Sequence, residues 1–252
     1  MSKLKSLIYQ VACNNVTGAV ITNFFSAGIP DIRWKGFKFM VNPEKVNKRI
    51  AASIFFGFYE SSEIRFIHKY YSGETDVIEL GGSLGIVSSH IGSLMRPGKK
   101  HIIVEPNPFL ISVAKKNVER HSKGNFKIIN AALNYASKKA RLSVSTNNTA
   151  SQLVTAKNGD GKIFEVDSLT LSSLVNGEDL DNYTLVCDIE GSEIDFLLND
   201  ADGLLKCAEI LIELHGTQYN GISYEVEDLK NLILKNGFKQ IDNEGPVYLF
   251  RK

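Results

Sequence analysis

Two carboxylates flank a glycine-rich turn in the sequence DVIELGGSLG at residues 76–85. Glu79 precedes the turn, and Glu105, in HIIVEPNP, follows it by about 20 residues. Glycines at 81, 82 and 85 allow a tight bend and let a ligand approach the backbone closely. An acid placed like Glu105 can accept hydrogen bonds from both hydroxyls of a ribose. The pattern therefore predicts a ribose-containing ligand at the end of a strand, with a ligand-free tight turn as the simplest alternative.

Three ligand classes compete for this turn. A phosphate-binding loop needs Lys and then Ser or Thr after its last glycine, whereas Ile86 and Val87 follow Gly85. The G-G-x-x-G spacing also departs from the G-x-G-x-x-G of dinucleotide folds. S-adenosylmethionine carries a sulfonium and an α-amino group, whose positive charge suits the carboxylate of Glu79. We expect S-adenosylmethionine, with NAD as the alternative because Glu105 suits both ribose-containing cofactors.

A second group of titratable residues follows two later apolar runs. Asp188 and Glu190 end the segment TLVCDIEG, and Glu213 and His215 end EILIELHG. Residues two apart in a strand share a face, so each pair can point the same way. His215 titrates nearest neutral pH and is the best candidate base, with Asp188 or Glu190 as its orienting partner or as the base itself. Carboxylates could also hold Mg²⁺, but we assign none of these residues to a metal.

Apolar runs that alternate with amphipathic stretches must position these residues. From Asp76 onward the order strand–helix repeats, and the early strands are continuously apolar, which is typical of burial on both faces of a parallel sheet. FKQIDN and PVYLFRK lie too close together for a parallel crossover and predict a hairpin. The fold class is therefore α/β, with a Rossmann-like, mostly parallel seven-stranded sheet and one antiparallel strand near its edge. Adjacent strand ends would bring the two titratable pairs together.

The remaining chain divides into an N-terminal cap region, residues 1–72, and the main domain, residues 73–252. In the cap, GFKFMVN predicts a short strand and residues 44–71 predict helix in two pieces. Trp34 lies among basic residues, on a hairpin that is either solvated or a surface for an anionic glycan. Residues 141–166 predict a hairpin-like insertion with a mobile tip.

Composition limits the class of protein. The 252 residues are 43% hydrophobic and 23% charged, with a formal net charge of +1, which is ordinary for a globular protein and argues against nucleic acid as a partner. Cys13, Cys187 and Cys207 lack metal-ligand spacing and are expected to be buried thiols. No membrane-spanning stretch is apparent, so we expect a cytoplasmic protein. The mildly apolar N-terminus is a candidate peripheral contact with a membrane or a glycosyltransferase.

The order of the motifs ELGGSLG, HIIVEPNP, IINAAL, VCDIEGSEIDFLL and ILIELHG resembles the FkbM family of class I S-adenosylmethionine-dependent methyltransferases. The resemblance extends from about Gly57, where GFYESSE matches the segment before the first strand, to the C-terminus. It implies that the cofactor is bound by Glu79, Gly81, Gly82, Ser83, Gly85, Glu105, Pro106, Asn107, Asn130 and Ala131. The catalytic candidates remain the four residues at the two later strand ends: Asp188, Glu190, Glu213 and His215.

The resemblance implies methyl transfer to a hydroxyl oxygen. We expect the acceptor to be a sugar of a bacterial glycan, such as an O-antigen, a capsule or a glycolipid. A natural product such as a polyketide is the alternative acceptor, and a non-catalytic scaffold that binds the cofactor is the alternative outside enzymes.

Overall fold

The computed structural model describes residues 9–26, 31–41, 47–144, 151–153 and 162–252. Its helices are α1 (Asn15–Ser26), α2 (Lys48–Phe55), α3 (Ser61–Tyr70), α4 (Ile86–Leu94), α5 (Ile111–Glu119), α6 (Leu171–Gly177), α7 (Glu193–Asn199), α8 (Ala201–Leu205) and α9 (Val226–Lys235). Its strands are β1 (Asp31–Trp34), β2 (Phe37–Met40), β3 (Asp76–Leu80), β4 (Lys100–Val104), β5 (Asn125–Ile129), β6 (Ala131–Leu133), β7 (Lys139–Val144), β8 (Ser151–Leu153), β9 (Lys162–Leu169), β10 (Tyr183–Cys187), β11 (Cys207–Glu213), β12 (Thr217–Tyr219), β13 (Ile222–Tyr224), β14 (Lys239–Glu244) and β15 (Val247–Arg251).

The central sheet has seven strands in the order β14-β15-β11-β10-β3-β4-β5. Strands β5, β4, β3, β10 and β11 are parallel to their neighbours in this series, and β15 runs antiparallel to both β11 and β14. The predicted Rossmann-like class I sheet with one antiparallel strand near its edge is confirmed. The antiparallel strand arises because β14 and β15 are joined by a short turn, which cannot form a crossover.

The inner strands β3, β4, β10 and β11 are buried on both faces, as their apolar sequences predict. In β3, Val77 packs into the core on one side of the sheet, whereas Ile78 and Leu80 pack into the core on the other. All five residues of β10 are buried. The helices that cover the two faces supply the apolar partners that such strands require.

Strand register brings the site residues together. Leu80 pairs with Cys187 of β10 on one side and with Val104 of β4 on the other. The residues that follow these three strands, Gly81, Asp188 and Glu105, are therefore neighbours at one edge of the sheet. The chain crosses to β4 on one side of β3 and to β10 on the other, so this edge is the switch point where ligands bind in open α/β sheets.

The N-terminal region packs on one face of the sheet as a hairpin and helices. Strands β1 and β2 are joined at Lys35 and Gly36, both with positive φ, which is the two-residue turn that suits hairpin twist. The predicted strand in GFKFMVN and the two helical pieces, α2 and α3, are confirmed. Within the described residues, no helix is both long enough and apolar enough to cross a bilayer.

The predicted insertion forms a small second sheet. Strands β7 and β9 pair antiparallel, and β6 and β8 extend the sheet to the order β6-β9-β7-β8. The predicted mobile tip falls on residues 145–150 and 154–161, which lie outside the described residues. The three cysteines are buried and free, as the sequence predicts.

Candidate active site

A cavity of about 210 Å³, here called the strand-end cavity, opens at the switch point. The ends of β3, β4 and β10 form its base, and β6 and the segment before α3 form its walls. Its lining comprises Tyr59, Glu60, Leu80, Gly81, Ser83, Val104, Glu105, Pro106, Ala131, Ala132, Leu133, Asp188, Ile189, Glu190 and Ser192. One end is apolar and the other is strongly acidic.

The glycine turn forms the floor of the strand-end cavity. Gly81 has φ +91°, and a β-carbon there would lie 1.9 Å from the carbonyl oxygen of Asp188. Neither the conformation nor the space accommodates a side chain, which explains why the chain has glycine here. Ser83 follows with φ 44°, and its hydroxyl lies 3.0 Å from that of Tyr59.

Glu105 is held rigidly at the end of β4. It is 4% exposed, and its two carboxylate oxygens accept hydrogen bonds from the backbone N–H groups of Ser83 and Asn107, each at 2.7 Å. Burial raises the pKa of Glu105 to about 7, against the lowering effect of these two donors. Each oxygen keeps a lone pair, so the carboxylate can accept two hydroxyl groups at once.

Five of the predicted cofactor-binding residues line the strand-end cavity: Gly81, Ser83, Glu105, Pro106 and Ala131. The other five support it from behind. Gly82 packs on Ile103, and Gly85 gives close approach to Ala114 of α5. Asn107 is buried and donates its backbone N–H to Glu105, and Asn130 donates to the carbonyls of Glu105 and Pro106.

Glu79 is the fifth residue; it does not line the strand-end cavity itself but lines a small neighbouring cavity that shares Glu60, Gly81 and Asp188 with it. It is 2% exposed and lies 2.8 Å from His101 of β4, and the hydroxyl of Ser88 in α4 donates to its other oxygen. Both carboxylate oxygens are engaged within the protein. Direct contact between Glu79 and the cofactor stays a prediction.

The four catalytic candidates do come together, around His215. Its Nε2 lies 3.6 Å from Glu213 and 3.8 Å from Glu190, while its Nδ1 lies 3.1 Å from Glu193. The hydrogen bond with Glu193 raises the pKa of His215 to about 9, against the lowering effect of burial. These acids favour the protonated form of His215, and its role as a base stays a prediction.

Asp188, like Glu105, lines the strand-end cavity and has a pKa near neutrality. Burial first, and then the negative charges of Glu213 and Glu190, raise its pKa to about 7, and the positive charge of His215 lowers it. Its Oδ1 is buried without a hydrogen-bond partner among the described residues. Burial and the neighbouring Glu63 also raise the pKa of Glu213. This acidic end suits a positively charged ligand.

A family model for the FkbM methyltransferase domain matches residues 84–239, which is more than half of the 252-residue chain. The chain belongs to the FkbM methyltransferase family. The matched residues include Glu105, Asp188, Glu213 and His215, so the family domain contains most of the site. No curated protein matches the sequence significantly.

The chain also resembles several solved structures at low sequence identity. The chain is 12% identical to WbdD over 90% of its own length and 46% of the WbdD chain, with a TM-score of 0.46. A ribosomal protein L11 methylase from Lactobacillus delbrueckii subsp. bulgaricus is 11% identical over 75% of this chain and 77% of that one, with a TM-score of 0.40. A protein of the NADB-Rossmann superfamily from Streptococcus agalactiae is 13% identical over 75% and 67%, with a TM-score of 0.41.

Besides the residues predicted from the sequence, the site contains further buried or cavity-lining glutamates. Glu60, with φ 46°, lines the strand-end cavity, and burial and then Glu63 raise its pKa well above the usual value. Glu193 begins α7 and is fully buried. Glu60 and Glu63 lie in GFYESSE, so the resemblance noted for that segment was the available signal.

Two sets of these residues have the spacing of metal ligands. Asp188, Glu193 and His215 form one set, and Glu63, Asp188 and Glu213 form the other, with candidate ligand atoms within 4.8 Å of one another in each. His215 already bonds to Glu193, and a cationic cofactor would supply positive charge at the same place. We therefore assign no metal to the FkbM methyltransferase site.

A second concavity, here called the hairpin groove, lies between the β1–β2 hairpin, α3 and α4. It measures about 560 Å³ and is lined by Trp34, Lys35, Phe37, Gly57, Ser61, Ile64, Arg65, His68, Lys69 and His90. Gly57 and Ser61 lie in the same segment as Tyr59 and Glu60, which line the strand-end cavity. One short segment of the FkbM methyltransferase therefore separates the two.

Proposed function

We propose that the protein is an S-adenosylmethionine-dependent O-methyltransferase that acts on a sugar hydroxyl of a bacterial glycan. One observation carries this proposal: Asp188, a carboxylate with a pKa of about 7, faces the cavity that suits the cofactor. A group with that pKa is an effective general base at neutral pH. A hydroxyl acceptor needs such a base because it is a weak nucleophile while protonated.

The shape and charge of the strand-end cavity fit the cofactor. Glu105 would accept both ribose hydroxyls, and Ala131 and Leu133 would contact the adenine. Gly81 would let the methionine portion cross the backbone, where Glu60 and Asp188 would face its positive charges. The cofactor supplies a methyl group on a cationic sulfonium. The carboxylates around it therefore match its charge in a partly water-excluded site.

Asp188 would remove the acceptor proton as the bond forms. The acceptor oxygen attacks the methyl carbon in line with the sulfur, and the hydroxyl proton passes to the carboxylate of Asp188. His215 would stay protonated through its bond to Glu193 and would keep Asp188 ionised. In this proposal His215 is a positioning residue, and Asp188 is the catalytic residue.

The hairpin groove offers contacts that suit a sugar acceptor. Its lining combines the aromatic rings of Trp34 and Phe37 with polar and cationic side chains. The groove lies one short segment away from the strand-end cavity, so a saccharide bound there could present a neighbouring hydroxyl to Asp188.

The proposal includes a cytoplasmic location and a peripheral contact through the N-terminal helix. Val16 and Val20, one turn apart on α1, are 75% and 64% exposed. Such a pair suits a contact with a membrane surface or a glycosyltransferase.

The deciding experiment combines cofactor binding with product analysis. Calorimetry should show binding of S-adenosylmethionine and of its demethylated product, and not of NADH. Surface glycans from cells with and without the gene should then differ, in mass spectrometry, by the mass of CH₂ for each methyl group. Absence of cofactor binding would refute the proposed function, and unchanged glycans with an Asp188→Asn variant that complements fully would favour a scaffold.

A further inference from the structure

The charged side chains that line the hairpin groove are basic. Lys35, Arg65 and Lys69 contribute to its lining, and no acidic side chain does so among the described residues. Arg65 is paired with Glu244, and Lys69 is paired with Asp242. Lys35 has no ion-pair partner in the part of the chain that is described, and its Nζ lies 4.9 Å from the centroid of the Trp34 ring. The groove therefore has, among the described residues, one positive charge without an ion-pair partner, and this charge lies over the face of the Trp34 ring.

The buried side chain of His90 forms the floor of the hairpin groove. His90 is 1% exposed, its ring centroid lies 3.9 Å from that of Phe37 and 5.6 Å from that of Trp34, and its Nδ1 lies 2.9 Å from Nε2 of His68. Its Nε2 has no hydrogen-bond partner among the described residues. Burial lowers the pKa of His90 to about 3, so its neutral ring adds no charge to the groove.

We propose that the hairpin groove binds an acidic sugar residue of the acceptor, with its ring against Trp34 and its anionic group at Lys35. This inference rests on the proposed function and names its substrate class. Aromatic rings offer a flat apolar face to a sugar, and an ammonium pairs with carboxylate or phosphate. The acidic residue would lie next to the sugar that is methylated, because residues 57–61 border both the groove and the strand-end cavity.

The protein contains a built-in reporter for this site. Trp34 is the only tryptophan in the chain, so intrinsic tryptophan fluorescence reports on the groove without any methyl transfer. The protein is titrated with a disaccharide that contains a uronic acid, with its carboxyl-reduced neutral counterpart, and with a hexose 6-phosphate. We expect a saturable change with one or both anionic sugars, and affinity at least about tenfold weaker for the neutral one. The two anionic probes distinguish a carboxylate from a phosphate.

Two lysine variants on the same hairpin provide the matched comparison. Lys35→Gln should weaken binding of the anionic probe about three- to tenfold, because it removes the unpaired charge. Lys38→Gln makes the same charge change at an exposed position of β2 outside the groove lining and should leave binding unchanged. Thermal melting of both variants checks that they fold.

Three results would overturn the inference: equal binding of neutral and anionic probes, equal effects of the two lysine variants, or no fluorescence response to any probe. Calorimetry with S-adenosylmethionine on the same samples separates this from the proposed function. Cofactor binding without a groove response refutes the groove alone. A groove response without cofactor binding refutes the proposed function and leaves the groove as a saccharide site.

Discussion

The carbonyl oxygen of Asp188 lies 1.9 Å from the position that a β-carbon on Gly81 would occupy. The backbone of the glycine turn and the backbone of the candidate base are thus in direct contact. Cofactor binding and base placement depend on the same few atoms, at the ends of the adjacent strands β3 and β10.

Gly81→Ala should therefore damage the site as well as the turn. The new methyl group must displace the Asp188 carbonyl, and the residue has φ +91°, so we expect cofactor affinity to fall more than about tenfold. Gly98→Ala is the matched control, because Gly98 has φ +87° with no atom within 4 Å of an added β-carbon. Calorimetry should show normal cofactor binding for Gly98→Ala, and equal losses in both variants would contradict the contact.

Asp188→Asn should lower kcat by about 10²- to 10⁴-fold, because the isosteric amide cannot take the acceptor proton. In the native enzyme, kcat/KM should rise with pH and level off above an apparent pKa of about 7, since the ionised form of Asp188 is active. For the acceptor at saturating S-adenosylmethionine, where the pH dependence of cofactor binding through Glu105 does not contribute, that limb should be absent in the variant. A pH profile that keeps it would assign the titration to another group.

His215→Asn should give an enzyme that recovers at higher pH. The positive charge of His215 lowers the pKa of Asp188, so its removal should move the acidic limb of the kcat/KM profile to higher pH. Activity near the native plateau at alkaline pH would confirm a positioning role. Loss at every pH, as expected for Asp188→Asn, would make His215 the base.

Glu105→Gln should weaken S-adenosylmethionine binding about tenfold or more. One oxygen of the buried carboxylate would be replaced by an NH₂ group facing the backbone N–H of Ser83 or Asn107, and one acceptor for the ribose would be lost. Native affinity should fall as the pH drops below about 7, because protonated Glu105 accepts hydroxyl groups less well. Calorimetry at pH 6 and pH 8 checks both statements, and affinity that is equal at the two pH values would contradict the second.

Exhaustive dialysis against EDTA should leave the methyl-transfer rate unchanged. The positive charges of His215 and of the cofactor would balance the acids that otherwise have metal-ligand spacing. Loss of activity that Mg²⁺ or Mn²⁺ restores would show that one of the two acidic sets binds a metal.

The strand ends were predictable from the sequence because they follow local rules. Continuous apolar runs marked the buried strands, and the glycines and acids after them marked the ligand edge. The short FKQIDNEGPVYLFRK segment also fixed the antiparallel strand. The placement of Glu105, Asp188 and Gly81 around one cavity follows from these rules together with the strand order.

The remaining features depend on long-range packing. His101 belongs to a different strand from Glu79, and only the folded sheet shows that the two side chains meet at 2.8 Å. The hydrogen bond between His215 and Glu193 likewise joins the segment after β11 to α7, and it raises the pKa of His215. Glu60 reaches the site because α3 packs against the central sheet, which no local spacing in the sequence predicts.

The Trp34 ring lies over Gly57, where a β-carbon would be 2.1 Å from the indole Nε1. An enzyme engineer who wishes to alter substrate preference should therefore vary residues in the β1–β2 hairpin and leave position 57 untouched. Because residues 57–61 border both the hairpin groove and the strand-end cavity, substitutions there would change the affinities for the acceptor and for the cofactor together. Substitutions in the β1–β2 hairpin would change the affinity for the acceptor and preserve the affinity for the cofactor.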